Sequence, residues 1–133
     1  MSDEEIMTSV ELEIILKAGK ILLSSGAEIS RTEDTMNYIA RAMNFKYLEA
    51  YVSNRGIFAT AKKADGTEIT RICNVPEVDI NLSKIESVNA LSRRVTQKNI
   101  TIEEIESELN QIDTMSDYSF FWRLVAYTLG ASG

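Results

Sequence analysis

The sequence predicts an α+β domain with element order ααβββαα. Three observations carry this. Apolar residues recur at a helical period of 3.6 up to about residue 44, switch to a period of 2 between residues 47 and 75, and return to 3.6 after the lone proline, Pro76. A Ser/Thr-x-x-Glu pattern, the signature of a helix start, occurs at Thr8/Glu11, Ser30/Glu33 and Thr101/Glu104. An Asp65-Gly66 pair stands between two alternating runs, as in a tight hairpin.

Each element follows in order. Thr8 with Glu11 predicts a capping box and Met7 with Leu12 a hydrophobic staple. Val10, Ile14, Ile15, Ala18, Ile21 and Leu22 continue the stripe, and Gly26 ends it, giving a first helix from about Ser9 to Ser25. A box at Ser30 and Glu33 opens a second helix, whose Met36, Ile39, Ala40 and Met43 recur at i, i+3, i+4, i+7 to about Asn44. Leu48, Ala50 and Val52 then alternate with Tyr47, Glu49 and Tyr51. After Asn54-Arg55-Gly56, where glycine supplies a positive φ, Ile57, Ala59 and Ala61 alternate again. Asp65-Gly66 predicts a type I′ turn into a third strand between Thr67 and Val75, which completes an antiparallel meander. Cys73 reads as a small core residue of that strand. Leu82, Ile85, Val88, Leu91 and Val95 form the stripe of a third helix. Thr101/Glu104, with Ile100 and Ile105 as staple, opens a fourth that buries Ile102, Leu109 and Ile112. Two helix pairs packed against one face of the sheet satisfy both apolar surfaces.

Composition narrows the function. The chain has 133 residues, enough for one independently folding core, with a net charge of −6 and no basic stripe, which argues against nucleic acid as a partner. With no histidine and a single cysteine, zinc, copper and haem sites lack ligands. Any metal needs an all-oxygen site, and no cofactor is indicated. The same absence removes Ser-His and Cys-His nucleophilic machinery. Neither a Gly-rich phosphate loop nor a G-x-S-x-G elbow is present.

The sequence divides into an α+β domain over 1–115 and a distinct segment over 116–133. The acidic start, Asp3-Glu4-Glu5, is unlike a secretory signal, and no run of about 18 apolar residues occurs. From Tyr118 onward, however, the chain holds five of its ten aromatics, and beyond Arg123 it carries no charge. This pattern reads as the opening of a first transmembrane helix cut short, with the lipid bilayer as its partner. An amphipathic last helix closing the core is the other reading.

The densest polar constellation is the turn from Ser24 to Asp34. It combines Glu28, Glu33 and Asp34 with Arg31 and several hydroxyls at a helix N-terminus, where free N–H groups and the dipole favour an anion. Such a turn suits a small zwitterion. Capping accounts for Ser30, Glu33 and Asp34, which leaves Glu28 and Arg31 without a local role. In the third helix Asn89 and Ser92 border the apolar stripe, so at least one faces the interior. Arg93 and Arg94 are within reach of Glu28 or Glu33 or are simply solvated. Candidate ligand-binding residues are therefore Glu28, Arg31, Glu33, Asn89 and Arg93. The only base and nucleophile candidates for an enzyme are Glu28, Glu33, Ser24 and Ser25.

These segments resemble the threonine/serine exporter (ThrE-like) family. The resemblance rests on AGKILLSSGAEISRTEDTM from Ala18 to Met36, Asn54-Arg55-Gly56-Ile57, INLSKIESVNALSRRV from Ile80 to Val95, TIEEIESEL from Thr101 to Leu109, and the aromatic tail. Its more specific parts are Gly26, Ala27, Glu28, Arg31 and Glu33, and Asn89, Leu91, Ser92, Arg93 and Arg94. The resemblance implies a soluble N-terminal domain that precedes a multi-helix membrane part exporting threonine, serine or similar metabolites, located at the cell membrane with this domain on the cytoplasmic side. It also implies that the domain regulates, couples or feeds substrate to a membrane domain of the same or a companion chain, with homo-oligomers allowed. A hydrolase-like domain acting on a small amide, ester or peptide, through Glu28, Glu33 and Ser25, is the alternative. A dimerisation module without ligand is a further one.

Overall fold

A computed structural model describes residues 3–115. The segment 116–133, and with it the predicted membrane entry, lies outside the described residues. Among those described, no helix is long and apolar enough to cross a membrane.

The elements occur in the predicted order: α1 (Asp3–Ser24), α2 (Ile29–Ala42), β1 (Phe45–Val52), β2 (Gly56–Lys63), β3 (Glu68–Asn74), α3 (Leu82–Thr96) and α4 (Ile102–Asp113). The sheet is antiparallel with order β1-β2-β3. Its inner face carries Phe45, Ile57, Ala59 and Ala61, and its outer face shows Tyr51, Phe58 and Ile72 in one cross-strand row open to solvent.

The layering departs from the expectation in one respect. The pair α1/α2 covers the sheet, α1 on β2 and β3 and α2 on β1, whereas α3 packs on α1 and α2 and α4 on α1 and α3. The second helix pair thus stacks on the first rather than on the strands. Being enclosed from both sides explains why α1 is apolar around most of its circumference, with Leu12, Ile14, Ile15, Leu16, Ala18, Ile21, Leu22 and Leu23 all buried. Close approach at Gly19 makes this possible, because an added Cβ would lie 2.7 Å from Met36 Sδ and 3.0 Å from Ile57 Cδ1.

Two of the three capping boxes are not formed. Helix α1 begins well before Thr8, its first turn stabilised by Asp3, Glu4 and Glu5 against the positive dipole end. Thr8 is interior and donates to the Glu4 carbonyl (2.8 Å), and Met7 is half-exposed, so it forms no staple with Leu12. Glu11 is instead buried and pairs with Lys63 at 2.9 Å. The Lys63 ammonium also reaches the Met43 carbonyl and lies 4.3 Å from the Phe45 ring centroid, tying β2 to the end of α2. Helix α2 starts at Ile29, ahead of Ser30, and ends at Ala42; Asn44, with φ of 65°, turns the chain into β1.

At α4 the cap itself holds. Thr101 Oγ1 accepts from the Glu104 N–H (3.2 Å), while the Thr101 hydroxyl donates to Glu104 Oε1 (3.1 Å). The cap of α3 is Asn81, whose Oδ1 accepts from the Lys84 N–H at 3.0 Å. Leu82, predicted as core, is the first residue of α3 and is exposed; the buried stripe of α3 begins at Ser83 and Val88.

Both hairpins differ in detail from expectation. Gly56 does not take a positive φ. The first turn is built by Ser53, whose Oγ accepts from the N–H groups of Arg55 and Gly56 (3.3 and 3.2 Å). In the second, only Gly66 has positive φ (97°), so the turn is not type I′. Gly66 N–H donates to the Lys63 carbonyl and Lys63 N–H to the Thr67 carbonyl, a three-residue loop with glycine in its left-handed position.

Candidate functional site

The site candidates sit where α1 hands over to α2. The end of α1 is a Schellman motif: Gly26 has φ of 99°, its N–H donates to the Leu23 carbonyl (3.1 Å), and the Ala27 N–H reaches back to the Leu22 carbonyl (3.0 Å). The apolar contact that accompanies this motif involves Leu22 and Ala27, and both line a cavity. Gly26 is held from the other side by Ile80, whose Cγ1 an added Cβ would meet at 3.3 Å.

Glu28 is the N-cap of α2 in extended conformation, and its side chain makes no capping bond. Its carbonyl accepts both the Thr32 N–H (3.0 Å) and the Thr32 hydroxyl (2.9 Å). No side chain caps the first-turn N–H groups at the positive dipole end of α2, and the cap residue Glu28 lines the cavity.

Eight residues line this cavity of about 210 Å³: Leu22, Ala27, Glu28, Arg31, Thr32, Thr35, Ile85 and Asn89. Its floor is apolar, from Leu22, Ala27 and Ile85. Glu28 and Arg31 stand at the solvent side. Across from them, Asn89 on α3 accepts at Oδ1 from the Thr35 hydroxyl at 3.5 Å. Neither Glu28 nor Arg31 belongs to a salt bridge among the described residues; the three bridges found there are Lys63–Glu11, Arg71–Glu13 and Arg94–Glu108.

The structure thus brings Glu28, Arg31 and Asn89 together and leaves two other predicted residues apart. Glu33, one turn further along α2, does not line the cavity, and its carbonyl accepts from Asn37 Nδ2. Arg93 is exposed near the end of α3, also away from the cavity. Arg94, considered as a partner of Glu28 or Glu33, is bonded to Glu108 of α4 at 2.7 and 2.8 Å. Of Asn89 and Ser92, Ser92 is the buried one, its hydroxyl donating to the Asn89 carbonyl (2.8 Å). Of the enzyme candidates, Ser25 is only 1% exposed and Ser24 donates to the Ile21 carbonyl, and neither lines the cavity that holds Glu28.

Thr32, Thr35 and Ile85 are not among the site residues read from the sequence, Ile85 being taken there as core. Their signal is the spacing of Glu28, Arg31/Thr32 and Thr35, a polar face of α2 at i, i+3/i+4, i+7, which faces the i, i+4 pair Ile85 and Asn89 of α3.

A second cavity, about 300 Å³, lies between α1, β3 and α4 and is lined by Glu13, Lys17, Lys20, Cys73, Glu106 and Asn110 with apolar neighbours. Lys17 bonds Asn110 and Glu13 pairs with Arg71 at 3.5 Å, while Lys20 and Glu106 belong to no ion pair among the described residues. Cys73 borders it half-buried rather than in the core, and desolvation by burial pushes its thiol pKa up. No group of three or more carboxylate or thiol side chains placed to hold a metal occurs among the described residues.

Comparison with known proteins gives a family match. The model of the ThrE family, described as "Putative threonine/serine exporter", matches residues 13–133. No curated protein and no solved structure matches the chain.

Proposed function

The chain belongs to the threonine/serine exporter family, and from that premise we propose that its α+β domain is a substrate-receiving domain of an amino-acid exporter. It binds a small zwitterion such as threonine or serine in the α2–α3 cavity and passes or signals it to the membrane part. The observation that carries this reading is the joining of one acid, one base and one amide, Glu28, Arg31 and Asn89, around a cavity of about 210 Å³ with an apolar floor. That volume is below the ~300–1,000 Å³ typical of drug-sized ligand sites, which favours a molecule of amino-acid size.

The chemistry follows from the geometry. The ligand carboxylate lies against the uncapped N-terminus of α2 and the Arg31 guanidinium, where helix dipole and side-chain charge act in the same sense. The ammonium group turns to Glu28. A hydroxyl on the ligand side chain reaches Asn89, and its methyl group, where present, rests on Leu22, Ala27 and Ile85. Two fixed charges of opposite sign discriminate against plain carboxylates and plain amines, each of which leaves one charge unmatched. In the whole protein the 116–133 segment continues into a first membrane helix, and the domain stands on the cytoplasmic side of the cell membrane.

Titration of threonine, serine and succinate into the domain, followed by amide chemical shifts, tests the reading. Threonine and serine at millimolar concentration shift the amides of Ile29 to Arg31 and Asn89, and Arg31→Ala, an exposed substitution, removes the response without changing the melting temperature. Succinate shifts them less. Unmoved amides around Glu28 and Arg31 at these concentrations would sink the proposal.

A further inference from the structure

One buried side chain joins the surroundings of the α2–α3 cavity to the end of α4. Asn81 precedes α3 and is only 6% exposed. Its backbone N–H donates to the Ser25 carbonyl (3.0 Å), in the turn that leads to the cavity residues Ala27 and Glu28. Its Oδ1 accepts from the Lys84 N–H (3.0 Å) and its carbonyl from the Ile85 N–H (3.3 Å). These bonds set the first turn of α3, the helix that brings Ile85 and Asn89 to the cavity. Its Nδ2 donates to the Met115 carbonyl (3.3 Å), just past the end of α4.

Neighbouring contacts reinforce both attachments. On the cavity side, Asp79 N–H donates to the Ser24 carbonyl (2.8 Å) and Ile80 packs over Gly26. On the α4 side, Lys84 Nζ donates to the Asp113 carbonyl (2.9 Å) and the Ser87 hydroxyl meets Met115 Sδ at 3.8 Å. Asn81 alone is bonded in both directions. Its N–H, carbonyl, Oδ1 and Nδ2 are all engaged, and in a buried position each lost partner leaves a desolvated polar group.

We propose that Asn81 is the positioning residue through which the state of the α2–α3 cavity is transmitted to the end of α4. This rests on the reading of that cavity as a zwitterion site and names the route by which the domain signals its occupancy. A ligand held by Glu28 and Arg31 on one side and Asn89 on the other fixes α3 against the α1–α2 turn. Asn81 is bonded to both, so its side-chain amide is fixed with them and holds the Met115 carbonyl more firmly. Coupling of this kind is reciprocal: releasing the end of α4 weakens the ligand by the same factor.

Asn81→Asp separates the two jobs of the side chain, since a carboxylate still caps α3 at the Lys84 N–H but cannot donate to the Met115 carbonyl. In the unaltered 133-residue chain, threonine shifts the amides of Ile29 to Arg31. At the same half-saturation it slows solvent exchange of the Thr114 and Met115 amides, which donate to the Gln111 and Ile112 carbonyls. In Asn81→Asp those two amides exchange about fivefold faster, as for one lost hydrogen bond of ordinary net strength, and no longer respond to threonine. The shifts at Ile29 to Arg31 persist there, at a higher half-saturation. Asn81→Ser, a cap too short to reach Met115, behaves alike. A merely structural role would speed the exchange and leave the threonine response in place. A ligand-free arm separates this proposal from the zwitterion reading. Ile85→Ala loosens the cavity from the α3 side and speeds exchange at Thr114 and Met115 in the unaltered background, but adds nothing to Asn81→Asp. Absent shifts at Ile29 to Arg31 count against the zwitterion reading alone, and the Ile85 arm then decides the transmission. The proposal is overturned if threonine binds while Thr114 and Met115 stay unchanged, if they respond equally in Asn81→Asp, or if Ile85→Ala and Asn81→Asp speed their exchange additively.

Discussion

The two helix-to-helix junctions of this domain carry the same sequence signal and use it differently. At α3–α4 Thr101 caps the helix, its hydroxyl accepting from the Glu104 N–H and donating to the Glu104 carboxylate. At α1–α2 the Ser30/Glu33 box does not form. The helix starts at Ile29, Glu28 becomes a cap residue with no capping side chain, and the polar groups border a cavity. The cavities beside α4 and α2 can be compared in the same terms. In the larger one, beside α4, Lys17 bonds Asn110 and Glu13 pairs with Arg71, while Lys20 and Glu106 stay outside any ion pair among the described residues; in the smaller, Glu28 and Arg31 do the same, but at the start of a helix with no side-chain cap. A charge pair set at an uncapped helix start, more than volume or free charge alone, distinguishes the candidate site.

The largest expected effect comes from breaking the open junction at its hinge. Gly26→Ala forces a β-carbon into φ of 99° and 3.3 Å from Ile80, at a cost of about 1–2 kcal/mol in urea unfolding. Gly66→Ala, at φ of 97° with nothing within 4 Å, isolates the backbone part of that cost, so it destabilises less. The next contrast sharpens the comparison of caps. Thr101→Ala costs about 1 kcal/mol, whereas Ser30→Ala, at an exposed position inside α2, stays within about ±0.5 kcal/mol. Equal losses at the two positions would mean that Ser30 caps after all.

The smallest effect belongs to the α4-side cavity. Burial raises the Cys73 thiol, so alkylation by iodoacetamide near pH 8 is slower in the folded protein than in urea. The sign for stability follows. Because the folded thiol holds its proton more tightly than the unfolded one, the contribution is complete below the unfolded pKa of about 8.5 and is lost as pH rises through the higher folded value. Cys73→Ser removes that alkaline decline; a decline that persists in the variant would place it elsewhere.

Element order and type were legible in the residues because period 3.6 and period 2 are separated cleanly at Phe45 and Pro76, and Gly26 marks a true left-handed stop. The helix starts were less so. Thr8 and Ser30 match the capping pattern, but the acidic first turn of α1 and the Gly26–Ala27 closure set the actual beginnings earlier, and Glu11 is claimed by Lys63, 52 residues away in sequence. The side of the site made by one segment, Glu28 and Arg31, was readable from composition and spacing. What Asn89 faces was not, since that depends on α3 stacking over α1 and α2 instead of reaching the sheet. Arg94 went to Glu108 of α4, a pairing that depends on how α3 and α4 pack and that local spacing does not reveal.

The central position of α1 has a consequence for how the chain reaches its folded state. This one helix touches α2, α3, α4, β2 and β3, partners spread from its own neighbour to the last described element. The β1-β2-β3 meander is built from short-range hairpins and can assemble early, but α1 gains most of its burial only when distant elements arrive. A chain that stops before α4 leaves the side of α1 around Leu16 without its partner Leu109, so a nascent chain shorter than about residue 113 carries part of its apolar helix uncovered.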